Sequence, residues 1–334
     1  MNFIMDNFSD LKEFLSEPKK IIITTHHKPD GDAIGSSLAL YAYLIQKGHE
    51  VNVIVPNDYA PFLQWLPNND IVVNFEQEHN KSLKLLNRSD IVFCLDFNKL
   101  HRINDLGDII EKLPGKKVMI DHHPEPDDFA DYTMSNIKAC STAELIYDFI
   151  EMMGDESLVN KDIGVCVYVG IITDTGSFRY AATSVRVHEI AAKILALGIH
   201  HEEIHNKIYN SFSEDKMHFF GHCLSNKLKV FHQYNVALIA VSYDEIKEFN
   251  VKTGDTEGLV NFGLSISGIK MAALIIEREH LVKLSLRSIG DIDVNKIAKK
   301  YFEGGGHKNA AGGKSHKSLD EVVAIFTNML PVEM

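Results

Sequence analysis

What is scarce in this sequence excludes a good deal. The four cysteines, Cys94, Cys140, Cys166 and Cys223, are scattered and none forms a CxxC pair. A disulfide framework and a thiolate-held structural zinc are therefore not expected. Cys94 and Cys166 sit in apolar runs and read as core thiols. No apolar run approaches the ~20 residues that span a bilayer. The N-terminal stretch "MNFIMDNFSDLKEFL" is acidic and amphipathic, without a basic leader region or cleavage signal. A cytoplasmic protein with no membrane association is the expectation. Positive charge is also short: the formal net charge is -12. That argues against a binder of long duplex nucleic acid, whose affinity comes from neutralising many phosphates. It leaves room for a phosphate-bearing substrate in one local cleft.

What is present is a regular alternation. "KIIITT" (20–25), "VNVIV" (51–55), "DIVFCLD" (90–96) and "KKVMID" (116–121) read as strands, with helical patterns such as "AIGSSLALYAYLIQKG" (33–48) between them. Near-continuous apolar strands separated by helices predict a parallel sheet covered on both faces. From Ser141 to about Asn226 the pattern is almost wholly helical, and "STAE" carries a capping-box spacing. The stretches 227–242 and 269–288 then read as strand pairs, followed by a helix, a Gly-rich loop and a last helix. The expected fold class is α/β. A parallel-sheet domain over 1–195 leads through a helical linker at 196–226 to a smaller α/β domain over 227–334.

Charged groups gather where strands end. "HHKPDGDAIG" (26–35) follows the apolar "IIIT" and brings His26, Asp30 and Asp32; Asp96 ends "IVFCL"; Asp121, His122 and His123 follow "KVMI"; Asp174 closes "GIITD". Each alone has an ordinary reading: Asp32 as a helix cap, Asp96 as a strand end, an isolated histidine as a hydrogen-bonded structural residue. Together they matter more, because parallel strands bring their carboxyl ends to one crevice. Carboxylates crowded there repel one another unless cations neutralise them. Mixed carboxylate and imidazole donors suit divalent ions such as manganese, magnesium, iron, cobalt or zinc. So many donors suggest two ions, the arrangement used for in-line displacement at phosphorus.

Four segments in this order, "HHKPDGDAIGS", "CLDFNKLHR", "IDHH" and "GIITDTGSFRY", resemble the motifs of the DHH phosphoesterase superfamily. "LSLRS" followed by "FEGGGHKNAAGG" is similar to the DHH-associated C-terminal domain. Nearly the whole chain is covered, and the branch it resembles is that of the nanoRNases and pAp phosphatases. The resemblance implies that His26 and Asp30 hold one metal, that Asp32, His122 and Asp174 hold the other, and that Asp96 bridges both. Asp121 would orient the histidines, and His123 would point at the scissile phosphate. It implies an active site in a cleft between the domains, and two divalent ions, manganese first, with magnesium or cobalt as alternatives.

The C-terminal Gly-rich stretch can also be read on its own. Glycines allow close backbone approach, and consecutive N–H groups in turns make anion-binding nests. From 296 to 317 there are six lysines and one acid, Glu303. Arg287, Ser288, Gly305, Gly306 and His307 are the expected grip on a terminal phosphate or nucleotide, with Arg102 a further candidate that an ordinary ion pair would equally explain. "HEEIH" (201–205) matches a zinc-protease pattern, but three fixed positions are a weak match, and a solvated helix is the expectation. Trp65, Phe62 and Tyr59 read as core aromatics.

The expected activity is metal-dependent phosphoester hydrolysis by a hydroxide held between the ions. Its expected substrates are RNA of about two to five residues and 3'-phosphoadenosine 5'-phosphate (pAp). Linear dinucleotides are a natural extension. Rivals are a manganese pyrophosphatase, an exopolyphosphatase, a RecJ-like exonuclease and a non-catalytic nucleotide sensor. The helical middle could pair two copies into a homodimer.

Overall fold

The computed structural model describes residues 7–252 and 254–334; the first six residues of the acidic N-terminal stretch lie outside them. The chain divides into two compact units, Met1–Ser211 and Phe212–Met334.

The first unit holds a parallel sheet of six strands: β1 (Lys20–Thr25), β2 (Glu50–Val55), β3 (Val73–Asn74), β4 (Ile91–Leu95), β5 (Lys116–Asp121) and β6 (Tyr132–Ser135). Their order is β3-β2-β1-β4-β5-β6, and every pairing is parallel. Strand order therefore reverses between β1 and β4, the point where open α/β sheets leave a crevice at the carboxyl ends. The two central strands are buried on both faces. Ile21 and Ile23 of β1 face one core, and Ile22 faces the other. β3 and β6 escape sequence reading because they are short and partly polar, below the length at which alternation carries a signal.

The helices of this unit are α1 (Phe8–Phe14), α2 (Gly31–Gln46), α3 (His79–Leu86), α4 (Asp105–Lys112), α5 (Thr142–Met153), α6 (Lys161–Asp174), α7 (Val185–Ala196) and α8 (His201–Tyr209). α2 is buried almost throughout its first fourteen residues and packs against α6. A Cβ at Gly35 would lie 2.5 Å from the Cys166 carbonyl, so this glycine permits the close approach. That contact brings the start of α2, where Asp30 and Asp32 sit, alongside the end of α6, where Asp174 sits. Ser141 caps α5 by accepting the Glu144 N–H at 3.1 Å, as its spacing predicts.

The second unit has a mixed six-stranded sheet: β7 (Leu228–Phe231), β8 (Val236–Val241), β9 (Met271–Glu277), β10 (Val282–Ser288), β11 (Gly305–His307) and β12 (Ala310–Ser315). Their order is β11-β12-β10-β9-β8-β7, and only β8 and β9 pair in parallel. Its helices are α9 (Glu214–His222), α10 (Tyr243–Glu248), α11 (Leu259–Leu264), α12 (Val294–Tyr301) and α13 (Leu319–Glu333). Alternation sorts the side chains. Met271, Ala273 and Ile275 meet Val294, Ile297 and Phe326 on one face, while Ala272, Leu274 and Ile276 meet Phe219 and Leu259 on the other.

The Gly-rich stretch is not a loop, as the sequence suggests, but the hairpin β11–β12. Gly306 has φ 146°, and a Cβ there would lie 2.5 Å from the Ala310 carbonyl. Glycine serves here to bring two strands together, which propensity alone reads as a break.

Candidate metal centre

Asp96 lies at the middle of the first unit's polar cluster. It follows β4 at the strand-order switch, is buried, and takes a left-handed conformation at φ 63°. A side chain with a Cβ pays about 1 kcal/mol or more there, so the strand end is bent at a cost to aim this carboxylate. His26 Nε2 stands 3.3 Å from Asp96 Oδ2 and 3.8 Å from Asp30 Oδ1. On the other side His122 Nε2 stands 3.4 Å from Asp96 Oδ1, 3.4 Å from Asp174 and 3.8 Å from Asp32. Two groups of donor atoms, His26/Asp30/Asp96 and Asp32/His122/Asp174, each gather within 4.8 Å of one another.

Both imidazoles are oriented by the backbone. His26 Nδ1 lies 3.0 Å from its neighbour's carbonyl at His27, and His122 Nδ1 lies 3.4 Å from the Ala139 carbonyl. A carbonyl only accepts, so each Nδ1 carries the proton and each Nε2 is turned towards the carboxylates. A metal-binding histidine is usually held in this way. His123 is also held through Nδ1, but by a carboxylate: Nδ1 lies 2.7 Å from Asp121 Oδ1, while the His123 N–H donates to Asp121 Oδ2.

Charge balance points the same way. Among the described residues, the ion-pair partners of Asp30, Asp32, Asp96 and Asp174 are histidines alone. Burial, with Asp96 and Asp174 nearby, pushes Asp32 well above the usual carboxylate range. Burial, with Asp30 and Asp96, does the same to Asp174. Burial alone would depress His26, but Asp30 and Asp96 outweigh it and raise the imidazole to about 10. Burial would likewise raise Asp96, yet His122 and His26 hold it well below its ordinary value. Four carboxylates thus share a pocket with too little positive charge, and divalent cations would supply the missing charge.

The sequence alone allows Asp32 as a helix cap or a ligand. The cap of α2 is Asp30, whose Oδ1 accepts the N–H groups of Asp32 and Ala33 at 3.1 Å each. Asp32 instead accepts from the first turn of α5: the Thr142 N–H at 2.6 Å and the Ala143 N–H at 2.8 Å. Thr142 Oγ1 also donates to Asp96 Oδ1 at 3.0 Å. These α5 donors were missed, because backbone N–H groups have no letter in a sequence; the cap at Ser141 was the one available sign.

The remaining candidates are less concentrated. Arg102 is half-buried and its carbonyl accepts the His27 N–H at 2.9 Å, which ties its segment to the residue beside His26. In the second unit Arg287 and Ser288 end β10, and Arg287 faces Ala310 across the ladder to β12. Ser288 Oγ donates to the Ile292 carbonyl and accepts from Asn309. The Gly306 N–H donates to Asn295 Oδ1 at 3.1 Å, so this amide is taken up within the protein. The lysines are less open than their density suggests: Lys296, Lys300, Lys308 and Lys314 pair with Asp293, Glu333, Asp291 and Glu303.

The DHH family N-terminal domain matches residues 20–171, and the DHHA1 domain matches 233–330. A bifunctional oligoribonuclease and PAP phosphatase NrnA from Thermus thermophilus is 31% identical over 300 residues, covering 90% of this chain and 85% of that protein. The protein of the same name from Bacillus subtilis is 28% identical, covering 92% and 93%. The crystal structure of an exopolyphosphatase-related protein from Bacteroides fragilis superposes with a TM-score of 0.94 at 38% identity, covering 99% of this chain and 98% of that one.

Proposed function

The chain belongs to the DHH family, and from that premise we propose that it hydrolyses phosphoester bonds at the Asp96 centre. The proposed reactions are trimming of RNA of about two to five residues to mononucleotides and conversion of pAp to AMP. One observation carries this reading most: two imidazoles with backbone-fixed tautomers and four undercompensated carboxylates converge at the strand-order switch. The relatives named for oligoribonuclease and PAP phosphatase activity support the substrate class.

The donor set fits two divalent ions, manganese first. His26, Asp30 and Asp96 would hold one, Asp32, His122 and Asp174 the other, with Asp96 common to both. When bound, such ions acidify water at neutral pH and draw charge from phosphoryl oxygens. The chain's own residues do the rest. The α5 amides and Thr142 hold Asp32 and Asp96 in place. Asp121 Oδ1 accepts from His123 Nδ1 and so orients the ring, leaving Nε2 as the atom that would hand a proton to the leaving oxygen. Arg287, Ser288, Gly305, Gly306, His307 and Arg102 are the proposed contacts to substrate phosphate or nucleotide. Local pairing of Lys296, Lys300, Lys308 and Lys314, with a net charge of -12, favours short substrates over long strands. The thiols are buried and unpaired, as suits the cytoplasm, and pairing of two copies belongs to the same reading.

The test is one hydrolysis panel with Mn²⁺ and with chelator: pAp, RNA of two to five residues, a long RNA, pyrophosphate and polyphosphate. Turnover of pAp and short RNA, weak on the long strand and absent in chelator, is expected. Polyphosphate as the best substrate would overturn the substrate assignment and favour the activity suggested by the Bacteroides fragilis protein's description.

A further inference from the structure

The "HEEIH" segment is left over from this reading, and the structure gives it a different task from either sequence expectation. It is α8, and it is not solvated throughout: Ile204 and Ile208 are buried, and Lys207 Nζ sits 4.3 Å over the Trp65 ring. Nor is it a zinc site, since no metal-capable group among the described residues includes His201 or His205.

Its inward side chains meet the chain just beyond Asp174. After that residue the backbone passes through three consecutive left-handed residues, Gly176 (φ 55°), Ser177 (φ 61°) and Phe178 (φ 63°). Two of the three carry a Cβ, for which this conformation is costly, so the surroundings must impose it. Thr175 Oγ1 accepts the Phe178 N–H at 2.9 Å. Ser177 Oγ lies 3.0 Å from His205 Nε2. His205 Nδ1 lies 2.8 Å from the His201 carbonyl, which can only accept. The Nδ1 proton is thereby fixed, and Ser177 O–H donates to Nε2. One turn later Tyr209 O–H donates to the Ile172 carbonyl at 2.6 Å, in the last turn of α6.

We propose that His205 is a positioning residue for the Asp174 carboxylate, acting through Ser177 to hold the left-handed turn that follows it. α8 is then a brace whose rigidity reaches the metal centre, and its conspicuous histidine binds no ion itself. The proposal rests on the reading that Asp174 holds a cation.

The test uses the full chain stripped with chelator. Mn²⁺ uptake is measured by calorimetry for wild type, His205→Ala, His205→Gln and Ser177→Ala, alongside kcat and KM for pAp and the thermal midpoint in chelator. His205→Ala and Ser177→Ala should each weaken the affected Mn²⁺ site about tenfold, the effect of losing a ligand's outer support. kcat should fall with it and KM should stay within about twofold, as when ground-state binding is untouched. His205→Gln, which can still accept from Ser177, should recover most of the loss. Unchanged Mn²⁺ affinity in both variants would overturn the proposal. So would a loss that follows the chelator-state midpoint and is not recovered by Gln, because helix packing alone would then explain it. A wild-type protein that takes up no Mn²⁺ would overturn the cation reading, and the brace with it; uptake by wild type with unaltered variants overturns the brace alone.

Discussion

The two sheets handle polar groups in opposite ways. At the carboxyl edge of the first, four carboxylates are brought together with histidines as their only ion partners among the described residues. In the second, polar groups are satisfied by near neighbours: Asn309 serves Ser288, Gly290 and Ile292, Asn295 serves Gly306, and lysines meet acids. The first region carries an electrostatic deficit of a kind that cations from solution would fill, whereas the polar groups just named in the second are answered within the protein. Polar density alone does not mark a site; unbalanced polar density does.

The contrast can be broken most decisively at Asp96. Asp96→Asn should lower pAp hydrolysis by about a thousandfold or more, since it removes the carboxylate proposed to serve both ions. In chelator the same variant should be less stable than wild type, because His26 and His122 lose the carboxylate they hold ionised. A variant that retains activity would end the metal-centre reading. The second sheet should respond in the reverse manner. Gly306→Ala should cost about 2 kcal/mol or more of stability, from positive φ and the approach to the Ala310 carbonyl, while Mn²⁺ uptake stays unchanged. Denaturant titration with calorimetry would separate the two.

A smaller effect concerns pH. In metal-free protein His26 is raised from 6.5 to about 10, so its contribution is fully present below pH 6.5 and is lost as pH rises through 10. Asp32, raised by burial beside Asp96 and Asp174, and Asp174, raised by burial beside Asp30 and Asp96, oppose folding increasingly as pH rises above the ordinary carboxylate range, so they slope the same way. The thermal midpoint of stripped protein should therefore fall between about pH 6.5 and 10, and Mn²⁺ should flatten that slope. A midpoint independent of pH in chelator would show that the deficit is not there.

Much of this was legible in the sequence, for identifiable reasons. β1, β2, β4 and β5 announce themselves as apolar runs, and ligands that follow strands in a parallel sheet must meet at one edge. β3 and β6 were too short to show a period. The β11–β12 hairpin reads as a loop in the sequence because glycine's use in close strand packing looks the same as its use in a turn. The meeting of Ser177 with His205 is tertiary, and nothing local in either segment points to the other.

The α5 amides have one more consequence, which concerns denticity. Asp32 Oδ1 accepts from Ala143 and Oδ2 from Thr142, so neither oxygen is fully available. On the proposed reading this carboxylate can offer an ion one oxygen far more readily than two. Calcium prefers six to eight oxygens and often takes carboxylates in bidentate fashion, whereas magnesium asks for a compact six. Two backbone hydrogen bonds from a helix end thus bias the pocket towards small octahedral ions, before any side chain has been chosen for the purpose.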